Sequence, residues 1–237
     1  MVHKRIVQPT SSFENDGLTS AMIGIGMMFG GKASQDPNIE DTLLAAAIAG
    51  MEEDDLRVLS VLTTWFGMHS NYVIASRLVR IAKACENSRV RAYFSAIAAW
   101  LRKDHRFDAL KKLQSSERVD LLHEGTDFLI QRRGEDPRFD GGPLRVPKGT
   151  LRDRPKDVLS PAALAQQHNA YYWRVVIGPS FRADMWAALQ SDGGLTATKL
   201  ARKTYGSYST AWKVRREAEL VSTKSVIDRN HDGNLDH

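Results

Sequence analysis

The 237-residue chain contains one cysteine, Cys85, and no long run of apolar residues. A single cysteine excludes an internal disulfide, and its place in an apolar helical pattern predicts a buried, inert thiol. The most apolar early stretch, residues 21–29, is well short of the roughly 20 residues that span a bilayer. It also begins too late, and behind polar residues, for a signal peptide. These features predict a cytoplasmic protein without a membrane segment.

Motifs that indicate an enzyme are also lacking. The seven histidines show no metal-ligand spacing, and no nucleophile motif of the Gly-x-Ser-x-Gly type occurs. Residues 26–33 approach a phosphate-binding loop, but Ala33 stands where a Ser or Thr would hold magnesium. The sequence therefore predicts a protein that is not an enzyme and has no cofactor, and an enzyme of unrecognised type is the most distant alternative.

One weak metal candidate lies near the C-terminus. Residues 228–236 resemble the first nine positions of an EF-hand calcium loop, in which positions one, three, five and nine supply oxygen ligands. The residues at these positions are Asp228, Asn230, Asp232 and Asp236. The sequence stops before position twelve, where a glutamate would bind the ion with both oxygens. We therefore expect at most weak calcium binding and assign no metal site.

The chain is basic, and its positive charge is unevenly distributed. Basic side chains exceed acidic ones by five, and residues 151–220 alone contain 11 basic and 6 acidic side chains. Within that stretch, residues 196–216 contain six basic side chains and no acidic one. Such a region suits an anionic partner, of which nucleic acid is the usual example.

The apolar pattern predicts an all-α protein. From Ile39 to about residue 130, apolar residues recur at three- and four-residue steps, and Asp, Asn or Ser residues precede the segments as N-caps do. Residues 131–160 instead contain four prolines and a Gly-Gly pair, which favour irregular backbone. The predicted parts are an irregular N-terminal segment (1–38), a helical bundle (39–130), a Pro/Gly-rich linker (131–160) and a C-terminal helical unit with a short polar tail (161–237).

The C-terminal unit contains a pattern of caps, small residues and a tight turn. Thr196 and Ser207 are expected to cap two successive helices, with a turn at Tyr205-Gly206 between them. The residues expected to face inward are Leu200, Ala201, Ala211 and Val214. Residues 195–220 thus resemble the helix-turn-helix of bacterial transcriptional regulators, including those with a winged helix. In that family glycine usually precedes a larger residue at the turn, and the reversed order here predicts a turn shifted by one position.

This resemblance implies a DNA-binding regulator of transcription, sequence-specific or non-specific, in which residues 207–216 form the helix that contacts DNA. The basic side chains would contact phosphates, and the first residues of the second helix would lie at the base edges. The predicted DNA-binding residues are Lys199, Arg202, Lys203, Tyr208, Ser209, Thr210, Lys213, Arg215 and Arg216. Residues 221–236 would form a short wing at most, and the helical bundle would serve self-association or a protein partner.

A solvated basic face on an ordinary helical hairpin would give the same charge pattern. In that case the chain would be a non-enzymatic protein–protein adaptor with a basic surface. The two hypotheses differ in one structural feature, because DNA binding requires residues 207–216 to form an exposed helix whose charges are not already neutralised by carboxylates.

Overall fold

The computed structural model describes residues 15–101, 103–113 and 117–232, with the backbone alone for residues 15–16 and 222–232. The described residues are mostly helical, which confirms the all-α prediction. The helices are α1 (Asn15–Gly24), α2 (Ile39–Glu52), α3 (Leu56–His69), α4 (Ala75–Ala84), α5 (Ser88–Trp100), α6 (Asp108–Lys111), α7 (Thr126–Arg133), α8 (Pro161–Gln167), α9 (Asn169–Ile177), α10 (Phe181–Ser191), α11 (Ala197–Lys203) and α12 (Tyr208–Asp232). Two short strands, β1 (Val119–Asp120) and β2 (Leu144–Arg145), pair in parallel. The chain divides into two units, Met1–His168 and Asn169–His237.

Helix α2 lies at the centre of the first unit, in contact with α1, α3, α4 and α5. Its inward side is built from leucine and alanine, and Ala46 and Ala47 are fully buried. At Gly50 an added Cβ would lie 2.8 Å from the side chain of Leu59 on α3. Because small side chains let helix backbones approach closely, this composition allows α2 to be surrounded on several sides.

A buried ion pair joins α2 to α4. The side chains of Glu40 and Arg77 are both fully buried, with 3.2 Å between Oε2 and Nη1. The other carboxylate oxygen of Glu40 accepts a hydrogen bond from the backbone N–H of Ile74 at 2.8 Å, at the N-terminus of α4. Ile74 has no side chain that can cap this helix, so Glu40 satisfies a helix end and a guanidinium group together.

The linker predicted for residues 131–160 is wrong, because this segment packs within the first unit. The backbone N–H groups of Arg152 and Arg154 donate to hydroxyl oxygens of Ser60 and Thr64 on α3, at 3.2 and 3.0 Å. Each of these hydroxyls donates its own hydrogen to a carbonyl one turn earlier in α3 and so keeps lone pairs for the incoming segment. Prolines and glycines indicate irregular backbone. They do not show whether the hydrogen-bond partners of that backbone are water molecules or groups of the protein.

The boundaries of the parts also differ from the prediction. The units divide after His168, so α8, which was predicted to belong to the C-terminal unit, lies in the first unit. Ser160 caps α8, which has Pro161 at its first position. Residues 15–24 of the predicted irregular segment form α1. Residues 221–232, for which a short wing was the most that the sequence suggested, continue α12. Because the backbone of residues 221–232 is helical, they form no wing strand.

In the described part of the chain, no helix is both long enough and apolar enough to cross a membrane.

The buried imidazole of His69 couples the stability of the first unit to pH. His69 has no exposed surface, stacks on Trp65 with 4.8 Å between ring centroids, and donates from Nε2 to the carbonyl of Leu159 at 3.0 Å. Burial lowers the pKa of His69 from 6.5 to about 4, against the smaller opposing effect of the hydrogen bond to Leu159. Between these two pH values the unfolded chain takes up a proton that the folded chain does not, so stability falls as the pH falls.

We expect this group to lower the free energy of unfolding by about 3 kcal/mol between pH 7 and pH 4. The variant His69→Gln keeps an N–H donor but does not titrate, so its unfolding free energy should fall by that much less over the same range. Denaturant unfolding of both proteins at several pH values measures the difference. Parallel pH profiles for the two proteins would contradict the assignment.

Candidate nucleic-acid interface

The second unit is organised around α10, which contacts α9, α11 and α12. At the start of α10, Ser180 Oγ accepts from Ala183 N at 3.3 Å. The predicted N-cap of α11 is confirmed, because Thr196 Oγ1 accepts from Lys199 N at 3.3 Å. Between α10 and α11, the Asp192 side chain accepts from the backbone of Gly194 at 3.0 Å and closes the connecting turn. These local bonds fix where α11 begins.

Small and aliphatic side chains fill the space between α10, α11 and α12. The members of this cluster are Met185, Ala188, Leu189, Ala197, Leu200, Ala201, Ala211 and Val214. The four residues predicted to face inward all belong to it, which confirms that part of the prediction. Since the apolar sides of α11 and α12 are used up in this contact, their opposite sides are left to solvent.

The turn between α11 and α12 explains the unusual order Tyr205-Gly206. The left-handed backbone conformation falls on Tyr205, with a φ of 57°, and not on the glycine. Gly206 is needed for another reason, since a Cβ at this position would lie 2.3 Å from Cε of Met185 on α10. The N–H of Gly206 donates to the carbonyl of Ala201 at 3.0 Å. The left-handed position therefore precedes the glycine, whose role is to let the turn approach α10.

The polar sides of α11 and α12 carry the predicted cations. On α11, Lys199, Arg202 and Lys203 are exposed. On α12, Ser209, Lys213 and Arg216 are exposed at steps of four and three residues, and lie on the side of the helix opposite Ala211 and Val214. The predicted exposure of residues 207–216 is thus confirmed for its polar side.

Three carboxylates of the second unit are paired with arginines that lie outside the group of five cations described below. Asp184 on α10 receives two hydrogen bonds from the buried guanidinium of Arg174 on α9, at 2.8 and 2.9 Å. Glu217 lies 2.6 Å from Arg182. Glu219 lies 3.2 Å from Arg215, one helical turn earlier on α12. The fourth described carboxylate of the unit belongs to Asp192, in the turn before α11.

Arg215 is therefore not the unpaired phosphate-binding group that the sequence predicts. It is half-buried, on the flank of α12, and Glu219 offsets its charge. The i, i+4 spacing of the two residues is the signal that sequence reasoning missed. Among the described side chains, no carboxylate lies within 4.0 Å of the other five predicted cations. We call these five the basic face: Lys199, Arg202, Lys203, Lys213 and Arg216.

The hydroxyl groups at the start of α12 are bonded to one another. Ser207 is the predicted cap, and its Oγ accepts from the backbone of Thr210 at 3.1 Å. The same oxygen lies 3.0 Å from Oγ of Ser209 and 2.7 Å from Oγ1 of Thr210. Ser209 and Thr210, predicted to contact bases, thus already have hydrogen-bond partners within the protein.

Sequence reasoning overlooked Trp212. Its side chain is 46% exposed, and Tyr208 one turn earlier is 52% exposed. The guanidinium carbon of Arg216 lies 5.0 Å from the centre of the indole ring, within range of a cation–π interaction. The spacing of Tyr208, Trp212 and Arg216, four residues apart on one helix, would have predicted this row.

Comparison with protein-family models, with curated proteins and with solved structures found no match to this chain. The assignment of a function therefore depends on the geometry of the second unit.

The geometry expected for the calcium candidate is not found. Residues 208–232 form one helix, so Asp228, Asn230 and Asp232 lie along a helix and not in a loop that could wrap an ion. Asp236 lies outside the described residues. Among the residues that the structure describes, no group of three or more His, Cys, Asp or Glu side chains is placed to hold a metal ion.

The close contact between Gly206 and Met185 allows a test of the packing that orients the basic face. Gly206→Ala is expected to destabilise the second unit by about 1–3 kcal/mol, because the added methyl overlaps Met185 in a filled core. In a Met185→Leu background, which removes Cε, the cost of the same substitution should be smaller. Denaturant unfolding of the four proteins measures the coupling. Equal costs in both backgrounds would show that Met185 does not set this distance.

Proposed function

We propose that this chain is a DNA-binding regulator whose basic face contacts the phosphate backbone of duplex DNA. The observation that carries the proposal is the separation of charge in the second unit. Three of its arginines are paired with carboxylates, whereas five cations on α11 and α12 are exposed and have no carboxylate partner among the described side chains. Like charges crowded on a small unit repel each other, and a polyanion would relieve that repulsion.

The arrangement of the two helices supports the same proposal. An α-helix fits the major groove of B-DNA, and in helix-turn-helix proteins the second helix enters the groove while the first crosses the backbone. In this assignment α12 is the helix in the groove, with Lys213 facing the base edges. Arg216 and the cations of α11 lie beside the phosphates.

The protein–protein adaptor is the second candidate, and one observation favours it. Helix α9 exposes four neighbouring apolar or aromatic side chains, Tyr172, Val175, Val176 and Ile177. Its one charged residue, Arg174, is buried in the pair with Asp184. Exposed apolar patches mark contact surfaces. A regulator that also binds a protein partner would use both surfaces. Self-association of the N-terminal bundle stays a prediction.

The proposal predicts a steep dependence of DNA affinity on salt. If the four cations of the basic face other than Lys213 contact phosphates, the slope of log affinity against log salt should be about −3 to −4 on random-sequence duplex. Replacing both Lys199 and Lys203 by Gln should reduce the slope by about 2 and lower the affinity about tenfold or more near 0.1 M salt. Fluorescence anisotropy with a labelled duplex across a salt series measures both quantities.

A matched control uses lysines of the first unit. Lys148 and Lys156 are also exposed, so the variant Lys148→Gln/Lys156→Gln removes the same net charge from a different surface. Its slope should equal that of the original protein. No binding to duplex at low salt, or equal losses in both double variants, would contradict the proposed surface and favour the adaptor.

A further inference from the structure

Between Tyr208 and Arg216, the outward side of α12 carries cationic donors, aromatic rings and hydroxyl groups, but no amide or carboxylate side chain. On the condition that α12 lies in the major groove as proposed above, we infer that it recognises a guanine and a neighbouring thymine on one strand, Lys213 reading the guanine and Trp212 the thymine methyl group.

The residue types that read adenine and cytosine are absent from this surface. Adenine is read by the amide of Asn or Gln, and the amino group of cytosine by the carboxylate of Asp or Glu. Residues 195–216 contain none of these four residue types. The nearest carboxylates after this stretch, those of Glu217 and Glu219, are held by Arg182 and Arg215.

Hydroxyl groups near the start of α12 do not discriminate between bases as an amide or a carboxylate does. Those of Ser209 and Thr210 lie within 3.0 Å of Oγ of Ser207, which also caps the helix. Each of the two hydroxyls can still donate and accept, so neither selects one base by itself. Lys213, which can only donate, is therefore the residue between Tyr208 and Arg216 on this side whose hydrogen bonding favours one base edge.

Lys213 is the donor placed to read a base. It is exposed between Ser209 and Arg216 on the outward side, in the second turn of α12. Its ammonium group has three N–H donors and no acceptor. In the major groove guanine presents two adjacent acceptors, O6 and N7, which is the edge that such a donor binds best.

Trp212 is the side chain that would prefer thymine. The methyl group of thymine is the apolar group in the major groove, and it is recognised by apolar contact. Trp212 lies next to Lys213 in the chain, is half exposed, and has Arg216 against its ring. Because about half of this side chain is in contact with solvent, contact with a methyl group would remove apolar surface from water.

The experiment begins with selection of bound duplexes from a random 20-base-pair library, followed by base analogues in the selected sequence. We expect a guanine and a thymine at neighbouring positions on one strand. Replacing that thymine by deoxyuridine, which lacks the methyl group, should lower affinity about 5- to 100-fold, and so should replacing the guanine by 7-deazaguanine, which lacks N7.

Matched variants assign each effect to a side chain. Trp212→Ala should bind the thymine and deoxyuridine duplexes equally, whereas Trp212→Phe should keep a preference for thymine. Lys213→Gln should shift the selected base from guanine towards adenine, because Gln has both a donor and an acceptor. Lys199→Gln, on α11, should lower affinity for all sequences alike. Circular dichroism confirms that each variant is folded.

Three outcomes would overturn the inference. Binding without sequence preference, or binding insensitive to deoxyuridine and 7-deazaguanine, would leave the proposed DNA-binding function intact and remove the base assignment. A preference that Trp212→Ala and Lys213→Gln both retain would assign the reading to other residues. No binding to any duplex at low salt would remove the proposed function and this inference together.

Discussion

The packing of Met185 against Gly206 is the contact on which the candidate interface depends. Cε of Met185 occupies the space that a Cβ at residue 206 would need, so the turn between α11 and α12 lies directly on α10. The apolar sides of both helices then close over one cluster, and Leu200, Ala211 and Val214 are fully buried there. Every cation of the basic face is turned outward as a result.

The distribution of ion pairs explains the excess of positive charge on the basic face. Asp184 and Arg174 form a buried, doubly hydrogen-bonded pair between α9 and α10, and this kind of pair is strong because its geometry is fixed. The pairs of Glu217 and Glu219 lie nearer the surface and contribute less to stability. Their larger effect is electrostatic, since they place negative charge beside Arg182 and Arg215 and leave the basic face without counter-charge.

Local signals in the sequence predicted the C-terminal unit well. Caps at Thr196 and Ser207 and the inward residues of α11 and α12 follow from spacing along a few turns of helix, and the structure confirms them. The exposure of five cations follows from the same periodicity. What this reasoning missed, such as the pairing of Arg215 with Glu219, is also local and could have been found by checking i, i+4 neighbours.

Contacts between distant parts of the chain could not be predicted in this way. The Glu40–Arg77 pair joins residues on separate helices, and nothing in either local sequence indicates its partner. The same holds for residues 131–160. Their sequence looks like that of a solvated linker, because the hydroxyls that accept hydrogen bonds from their backbone lie on α3, far away in the sequence. Ser60 and Thr64, two of the buried hydroxyl residues of the mostly apolar helix α3, were a local sign of that docking.

The hydroxyls of α3 also bear on the order in which the first unit folds. The bonds from Ser60 and Thr64 close loops of about 90 residues, whereas the contacts among neighbouring helices close much shorter ones. Because closing a longer loop costs more chain entropy, the helices are expected to associate first and residues 151–160 to dock late. A nascent chain would form these two bonds only after residues 151–160 had been synthesised.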